Sequence, residues 1–270
     1  MKKTLFALLL IPQFCFAVQE KPWYGDFCEF HFRPQYNYNF FNDVDNGIPQ
    51  LNSTFHTHVL AGTLEVTIPE CWNWELELEF ADTSSVSWGY RSFALQVRRL
   101  WLDDICGDPV SLSTGFVYRD ASSRMRDALS TPYHARANFE VHTAVGKEWS
   151  HRCYWVFRTF GVVAIGQGTE GFPWLRGDLY FLFNYQDCHQ FRLYGQSYFG
   201  LGNRDTVRID DFDGWAKIAH HSIDLGASYR YQFGCYGNLR FDYLYRVYAH
   251  SYPEHVNFFI FTYDFPFSLF

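Results

Sequence analysis

The sequence predicts a closed, up-and-down antiparallel transmembrane β-barrel of about twelve strands, with short turns on one side and longer loops on the other. Three observations carry that expectation. Hydropathy alternates with a period of two along most of the chain, an aromatic face opposes a regularly polar one, and the connections alternate in length.

Composition fits such a fold. The 270 residues are 48% apolar, yet mean hydropathy is only −0.22. Aromatic residues make up 21% of the chain (29 Phe, 19 Tyr, 9 Trp), slightly more than the 19% that are charged. An ordinary soluble domain is about 25% charged and draws its apolar residues from smaller side chains. A net charge of −7 with lysine scarce excludes a basic nucleic-acid binder, and the aromatic content excludes a disordered chain or a coiled coil.

Met1-Lys2-Lys3 is followed by an uncharged, Leu-rich stretch to Phe16, and Cys15-Phe16-Ala17 places small residues at −3 and −1. This is the pattern of a secretory signal peptide, residues 1–17, cleaved after Ala17. Its apolar stretch is too short for a span, which takes about 20 residues. Pro12-Gln13-Phe14 lacks the small residues a lipid-attachment box at Cys15 would need. Residues 18–270 are expected to form one domain, without a transmembrane helix.

The first strand is read at 30–40, where Phe30, Phe32, Tyr36, Tyr38 and Phe40 alternate with His31, Arg33, Gln35, Asn37 and Asn39. Residues 72–80 repeat the pattern, with Trp72, Trp74, Leu76, Leu78 and Phe80 set against Asn73, Glu75, Glu77 and Glu79. A strand sends successive side chains to opposite faces, so each segment has one apolar and one polar face. Further strands are read at 60–68, 95–101, 110–118, 139–145, 155–165, 179–185, 191–199, 223–233, 239–247 and 259–269. About ten residues tilted by about 45° cross a bilayer. Lipid offers no hydrogen-bond partner, so such a sheet must close on itself. A water-soluble sandwich also alternates, but charge on one face of nearly every strand suits a wet lumen better.

Short turns are expected near 69–72, 103–109, 148–152, 186–189 and 234–238. Longer loops are expected at 42–53, 82–92, 119–137, 166–175, 201–220 and 249–256. Trp72, Trp74, Trp101, Trp149, Trp155 and Trp174 sit near segment ends, as aromatics at membrane interfaces do.

The leader, the alternating segments and the final Phe270 together resemble Gram-negative outer-membrane β-barrel proteins. The resemblance is one of architecture and covers nearly the whole mature chain. It implies an outer-membrane location, turns and termini in the periplasm, and contact with outer-membrane lipid and lipopolysaccharide. The last strand departs from the usual register, because Phe259, Phe261, Tyr263, Phe265, Phe267 and Leu269 alternate on the face opposite Phe270.

Apart from Cys15, the cysteines are Cys28, Cys71, Cys106, Cys153, Cys188 and Cys235. Cys28 opens the first strand and each of the others lies in or beside a short turn, so all six are expected at one rim. Their separations contain no zinc-type pair. An exported protein meets an oxidising compartment, where disulfides form, either stapling neighbouring turns or linking envelope partners. Cysteines so placed are similar to those of the disulfide-linked outer-membrane proteins of chlamydia-like bacteria, a resemblance that implies linkage to periplasmic-side envelope proteins.

The inward face is expected to present Glu29, His31, Arg33, Glu65, Glu75, Glu77, Glu79, Arg98, Glu140, His142, Arg158, Asp178, Arg192, Asp224, Arg230, Arg240, Asp242 and Arg246. Acidic residues dominate the early strands and arginines the later ones, suggesting either ion pairs across the lumen or a transverse field along a pore. His220-His221-Ser222 supplies the His-x-Ser of outer-membrane phospholipase A, but Ile223-Asp224 replaces Asn-Gly and Ser222 falls on the lumen face. His56 and His58 share a face at a strand end, and Asp43-Val44-Asp45-Asn46-Gly47 and Asp210-Asp211-Phe212-Asp213 are read as solvated loops. The expected function is a narrow channel for small polar solutes. The alternatives are a disulfide-anchored envelope or surface protein and, more distantly, a lipid-modifying enzyme. No cofactor, metal or nucleic-acid partner is expected.

Overall fold

The computed structural model describes residues 20–69, 71–151 and 154–268. The leader 1–17 with Cys15, the turn cysteine Cys153, and Leu269 and Phe270 lie outside the described residues.

Twelve strands close one antiparallel barrel. They are β1 (Glu29–Phe41), β2 (Phe55–Ile68), β3 (Trp72–Thr83), β4 (Gly89–Leu102), β5 (Ser111–Ala121) and β6 (Ala137–His151). They continue with β7 (Tyr154–Gly168), β8 (Trp174–Tyr185), β9 (His189–Leu201), β10 (Ala219–Gln232), β11 (Asn238–His250) and β12 (Asn257–Ser268). Each strand pairs with its sequence neighbours, and β12 closes on β1 with Glu29 opposite Ser268 and Phe40 opposite Asn257. Closure leaves no edge strand, the condition for a sheet surrounded by hydrocarbon.

The barrel is built inside-out. In β3 the side chains of Asn73, Glu75, Glu77 and Glu79 are buried, while Trp74, Leu76, Leu78 and Phe80 are each 41–43% exposed. Val141, Val163, Leu193 and Leu225 continue this apolar exterior, all more than half exposed. An apolar exterior of this extent is unsuited to water and matched to lipid. In β12, Phe259, Phe261, Tyr263 and Phe265 face out, while Phe258, Ile260, Thr262 and Asp264 are buried.

The connections define two rims. The turn rim holds 103–110, 186–188 and 233–237, with residues 69 and 71 and the strand ends His151 and Tyr154, and the loop rim holds 42–54, 84–88, 122–136, 169–173, 202–218 and 251–256. Length alternates less cleanly than expected, since 103–110 is longer than 84–88 and 169–173. The strands run past the lengths read from periodicity and absorb much of the expected loops at 82–92 and 166–175. Gln186 and Asp187 both sit at φ of 55°, the two left-handed positions of a tight hairpin turn.

Two tryptophans correct the interface expectation. Trp74, Trp101 and Trp149 are exposed near the turn rim, but Trp174 is only 5% exposed and points inward. Trp155 also lines the lumen, turned in by an irregularity in the β6–β7 register at Trp149/Ser150. Outward tyrosines pair instead with histidines. Tyr36 and Tyr38 hydroxyls stand 2.7 and 2.8 Å from Nδ1 of His58 and His56, which explains why those two histidines share a face.

At the loop rim the chain folds over the barrel mouth. Phe41, Phe55, Leu129, Trp174, Tyr198, Val207, Trp215, Ile218, Tyr252 and Val256 form one buried apolar core there. Two small sheets tie the loops together: residues 43–44 pair with 253–254, and 47–48 pair with 207–208. Asp45 Oδ2 accepts the Ser251 N–H at 2.7 Å, and the Asp45 N–H donates to the Tyr252 carbonyl at 3.0 Å. Asp213 holds Lys217 at 2.7 Å. The two acidic loop patches are thus engaged in the loop structure.

Candidate functional site

The lumen divides into four regions, each traceable to the strands that furnish it. Against β1–β5 lies a ladder of carboxylates and arginines. Glu65 and Glu75 stand directly opposite each other on β2 and β3, a like-charge pair that destabilises a sheet unless offset. Arg33 from β1 and Arg98 from β4 offset it. Arg33 donates to Glu65 and, at 2.9 Å, to Glu75, and Arg98 donates to Glu65 at 2.9 Å and to Asn73 Oδ1 at 2.5 Å. One step toward the loop rim, Arg119 pairs with Glu77 at 2.6 Å, and Glu79 accepts from Ser92 at 2.7 Å and from Tyr133 at 2.5 Å. Arg91 stands 3.6 Å from Glu79. The early acids are therefore paired with arginines of nearby strands. They do not reach across the lumen to the later arginines, because interstrand spacing of about 5 Å puts lateral partners far closer.

The second region is the N-terminal segment, which enters the barrel. Trp23 is 5% exposed, donates Nε1–H to Asp104 Oδ1 at 2.9 Å and meets Phe160 edge-on. Arg98 lies over the Tyr24 ring at 5.1 Å and Arg158 over Trp23 at 4.9 Å. Gly146 makes the seat, since a Cβ there would stand 2.7 Å from both Pro22 and Trp23. Burial acts to raise Asp104, but hydrogen bonds from Ser111, the Glu148 N–H and Trp23 hold its carboxyl below the usual range. Burial depresses the Lys21 ammonium, with Glu65 acting in the opposite sense.

The third region is the apolar lid at the loop rim. His134 lies 4.7 Å from the Trp174 ring and 5.2 Å from His220, and Tyr252 stacks on His220 at 4.6 Å. Burial pulls His134 down to about 4, against a hydrogen bond to the Phe172 carbonyl, and pushes Tyr133 up to about 12. His220 and Ser222 are both buried beneath this lid. His220 Nδ1 lies 2.9 Å from the Ile218 carbonyl, and Ser222 Oγ has no hydrogen-bond partner. The structure thus brings the two residues onto one face without a base–nucleophile hydrogen bond.

The fourth region is a cavity of about 320 Å³ in the turn-side half, between the N-terminal segment and β7–β12. Lys21, Arg33, Arg158, Arg192, Arg230 and Arg240 line it, with Glu20, Asp242 and Asp264 as the carboxylates. Arg192 and Arg240 share Asp242, the latter through Nε at 2.9 Å. Arg230 donates to Gln232 Oε1 at 3.1 Å, and its Nε has no hydrogen-bond partner. Tyr180, Tyr194, Trp155 and Phe160 supply aromatic walls, and the Arg192 guanidinium lies 4.7 Å over Tyr194.

Of the residues read as inward, His31 joins Asp264 at 2.8 Å and Glu29 at 3.3 Å at the turn end. Arg158 pairs with Glu148, and Arg246 meets Asp224 near the lid. Periodicity missed Arg91, Arg119 and Arg176, which fall at strand ends, and Glu20, Lys21 and Trp23, which lie before the first strand. Cys28, Cys71, Cys106, Cys188 and Cys235 all lie at the turn rim, and among the described residues none is bonded to another. All but Cys28 are exposed.

No protein-family model matches the sequence, and no curated protein does either. Solved structures do. An outer membrane channel from Pseudomonas putida F1 superposes with a TM-score of 0.65 at 10% identity, covering 90% of this chain and 97% of the channel. The NanC porin gives 0.57 at 10% identity over 87% and 98% of the two chains. The KdgM porin gives 0.54 at 8% identity over 87% and 99%, and it has also been solved with a disordered oligogalacturonate. The fold of this chain, a closed twelve-stranded β-barrel, is similar over most of its length to that of these outer-membrane porins and channels.

Proposed function

We propose that the protein is exported by its leader to a Gram-negative outer membrane and serves there as a gated channel for small polar solutes, anions above all. The observation that carries this reading is the turn-side cavity, where six cationic side chains face three carboxylates between aromatic walls. Rings of charge set selectivity in barrels, and Arg230, Arg192 and Arg240 bring three guanidinium groups to the wall of this cavity with Asp242 as the carboxylate between two of them. The closure at the other end is made of loops, so a passage opens without breaking the barrel ladder. Outer-membrane lipid and lipopolysaccharide cover the apolar exterior in this reading, and no catalytic step is assigned to His220 or Ser222.

Planar-bilayer recording in a salt gradient tests it. Conductance steps with a reversal potential favouring the anion are expected, with that preference reduced in Arg230→Gln/Arg240→Gln. An acidic oligosaccharide such as the oligogalacturonate seen with KdgM is a suitable trial solute. No conductance above bare lipid, under any lid-opening condition, overturns the channel.

The second reading is a scaffold anchored through thiols at the turn rim, favoured by the gathering of five described cysteines there. Nonreducing gels of native envelopes decide it: high-mass species that collapse with reductant support linkage to envelope proteins, and a monomer indifferent to reductant removes it.

A further inference from the structure

Where the N-terminal segment meets the barrel wall, three carboxylates share the guanidinium of Arg176. It donates to Glu20 and, at 2.7 Å, to Glu140 Oε1, and its Nη1 stands 3.8 Å from Asp178 Oδ2. All three acids are buried, with Glu20, Glu140 and Asp178 only 8%, 8% and 7% exposed. Neither oxygen of Asp178 accepts a hydrogen bond. One guanidinium leaves such a cluster short of positive charge, and buried charge is tolerated only when paired or metal-bound.

An imidazole completes the cluster. His142 is 1% exposed, its Nδ1 has no hydrogen-bond partner, and that atom lies 3.9 Å from Glu20 Oε1. One donor atom each from Glu20, Glu140 and His142 falls within 4.8 Å of the others. Tetrahedral donors about 2.1 Å from a metal stand roughly 3.4 Å apart, so contraction by up to about 1.4 Å suffices.

The surroundings fit a ligand set. Gly115 lies opposite His142 on β5, and a Cβ there would stand 2.4 Å from the imidazole Nε2. Gly166 lies opposite Glu140 on β7 and leaves room for Trp174, whose Nε1–H donates to Glu140 Oε2 at 3.1 Å. His142 Nε2 is 3.2 Å from the Gln96 amide nitrogen, while Gln96 Oε1 accepts nothing. Turning that amide over lets Nε2–H donate to the oxygen and aims the Nδ1 lone pair at the carboxylates, as ligating histidines are commonly held.

We propose that Glu20, Glu140 and His142 bind one divalent transition-metal ion, zinc by the chemistry of its donors, which latches the N-terminal segment to the barrel wall. An imidazole with carboxylates favours zinc or a neighbouring first-row ion over calcium or magnesium. The latch joins residue 20 to β6, so it acts on the position of the segment whether or not the lumen conducts.

The test uses the mature full-length barrel without a histidine tag, stripped by chelator and titrated with cobalt(II) as the probe. One equivalent is expected, with a ligand-field spectrum of nitrogen and oxygen donors, and backbone hydrogen exchange in residues 20–27 should slow on loading. Glu20→Gln and His142→Ala should each weaken binding tenfold or more. The heat-dependent gel shift reports whether each variant is folded. Should His142→Ala fail that check, the near-isosteric Glu20→Gln decides alone. The proposal is overturned by no stoichiometric uptake in the folded wild type, by unchanged affinity in folded variants, or by a thiolate-to-cobalt charge-transfer band as the sole signal, which would place the ion on the rim cysteines.

Discussion

Arg246 and Asp224 form a two-point buried pair across β10 and β11, Nε to Oδ1 at 2.7 Å and Nη2 to Oδ2 at 2.9 Å. A third donor, Nη1, reaches the Pro253 carbonyl at 3.1 Å, and the guanidinium lies 4.9 Å over Tyr252. The pair thus fixes the barrel wall to the lid. Arg246→Ala strands a buried carboxylate and is expected to cost about 3–5 kcal/mol, whereas the apolar double replacement Arg246→Met/Asp224→Leu should recover most of it. Urea unfolding in lipid vesicles measures both, and an equal loss in the two variants would contradict the pairing.

Acid should loosen the lid. His134 is buried with its pKa at about 4, below the ordinary 6.5, so the unfolded lid binds its proton first. The neutral form's contribution is complete above about pH 6.5, declines as pH falls, and is gone below about 4. A shift of this size corresponds to about 3 kcal/mol at most. Phe172, Trp174, Tyr198 and His220 surround the ring. Protection factors in residues 122–136, taken against the free-chain exchange rate at each pH, should fall between pH 7 and 5, and His134→Phe should flatten that dependence.

The seat at Gly146 can be filled. Gly146→Val places carbon where Pro22 and Trp23 now lie, so the N-terminal segment should leave the lumen while the barrel stays closed. Overpacking of this kind costs about 1–3 kcal/mol if the segment resists. Faster exchange in residues 20–27 with an intact heat-dependent gel shift is the expected result, and unchanged protection would show that the seat yields instead.

On the outer surface, Val163 is 64% exposed near the middle of β7. Val163→Arg should destabilise the vesicle-embedded barrel by about 2–4 kcal/mol, the cost of a guanidinium near the bilayer midplane. On a water-facing surface the same change would fall within about 0.5 kcal/mol. Reversible folding into vesicles distinguishes the two.

Much of this was legible in the sequence because one period does two jobs. In Asn73–Phe80 the same alternation locates the strand and says which side is wet. Strand ends were less legible, since aromatic and polar residues continue past the membrane without a break in pattern. Arg91 and Arg119 fell into expected loops for that reason, so the partners of Glu77 and Glu79 went unseen. Glu20, Glu140 and His142 carry no joint signal, being brought together only by closure of the barrel around the incoming segment. The lid was hidden for the same reason: Trp215 and Tyr252 belong to loops whose sequences alone do not show what they cover.

The pairing of residues 43–44 with 253–254 spans the seam between β1 and β12, and 47–48 carries the connection on to 207–208. Three loops from distant parts of the chain thereby behave mechanically as one plate, riveted over the joint where the cylinder is completed. Tugging on any one of them loads the other two, so the three hold or yield together over that end of the barrel. The same plate bridges the joint between β1 and β12, so one set of contacts ties together the mouth and the seam of the cylinder.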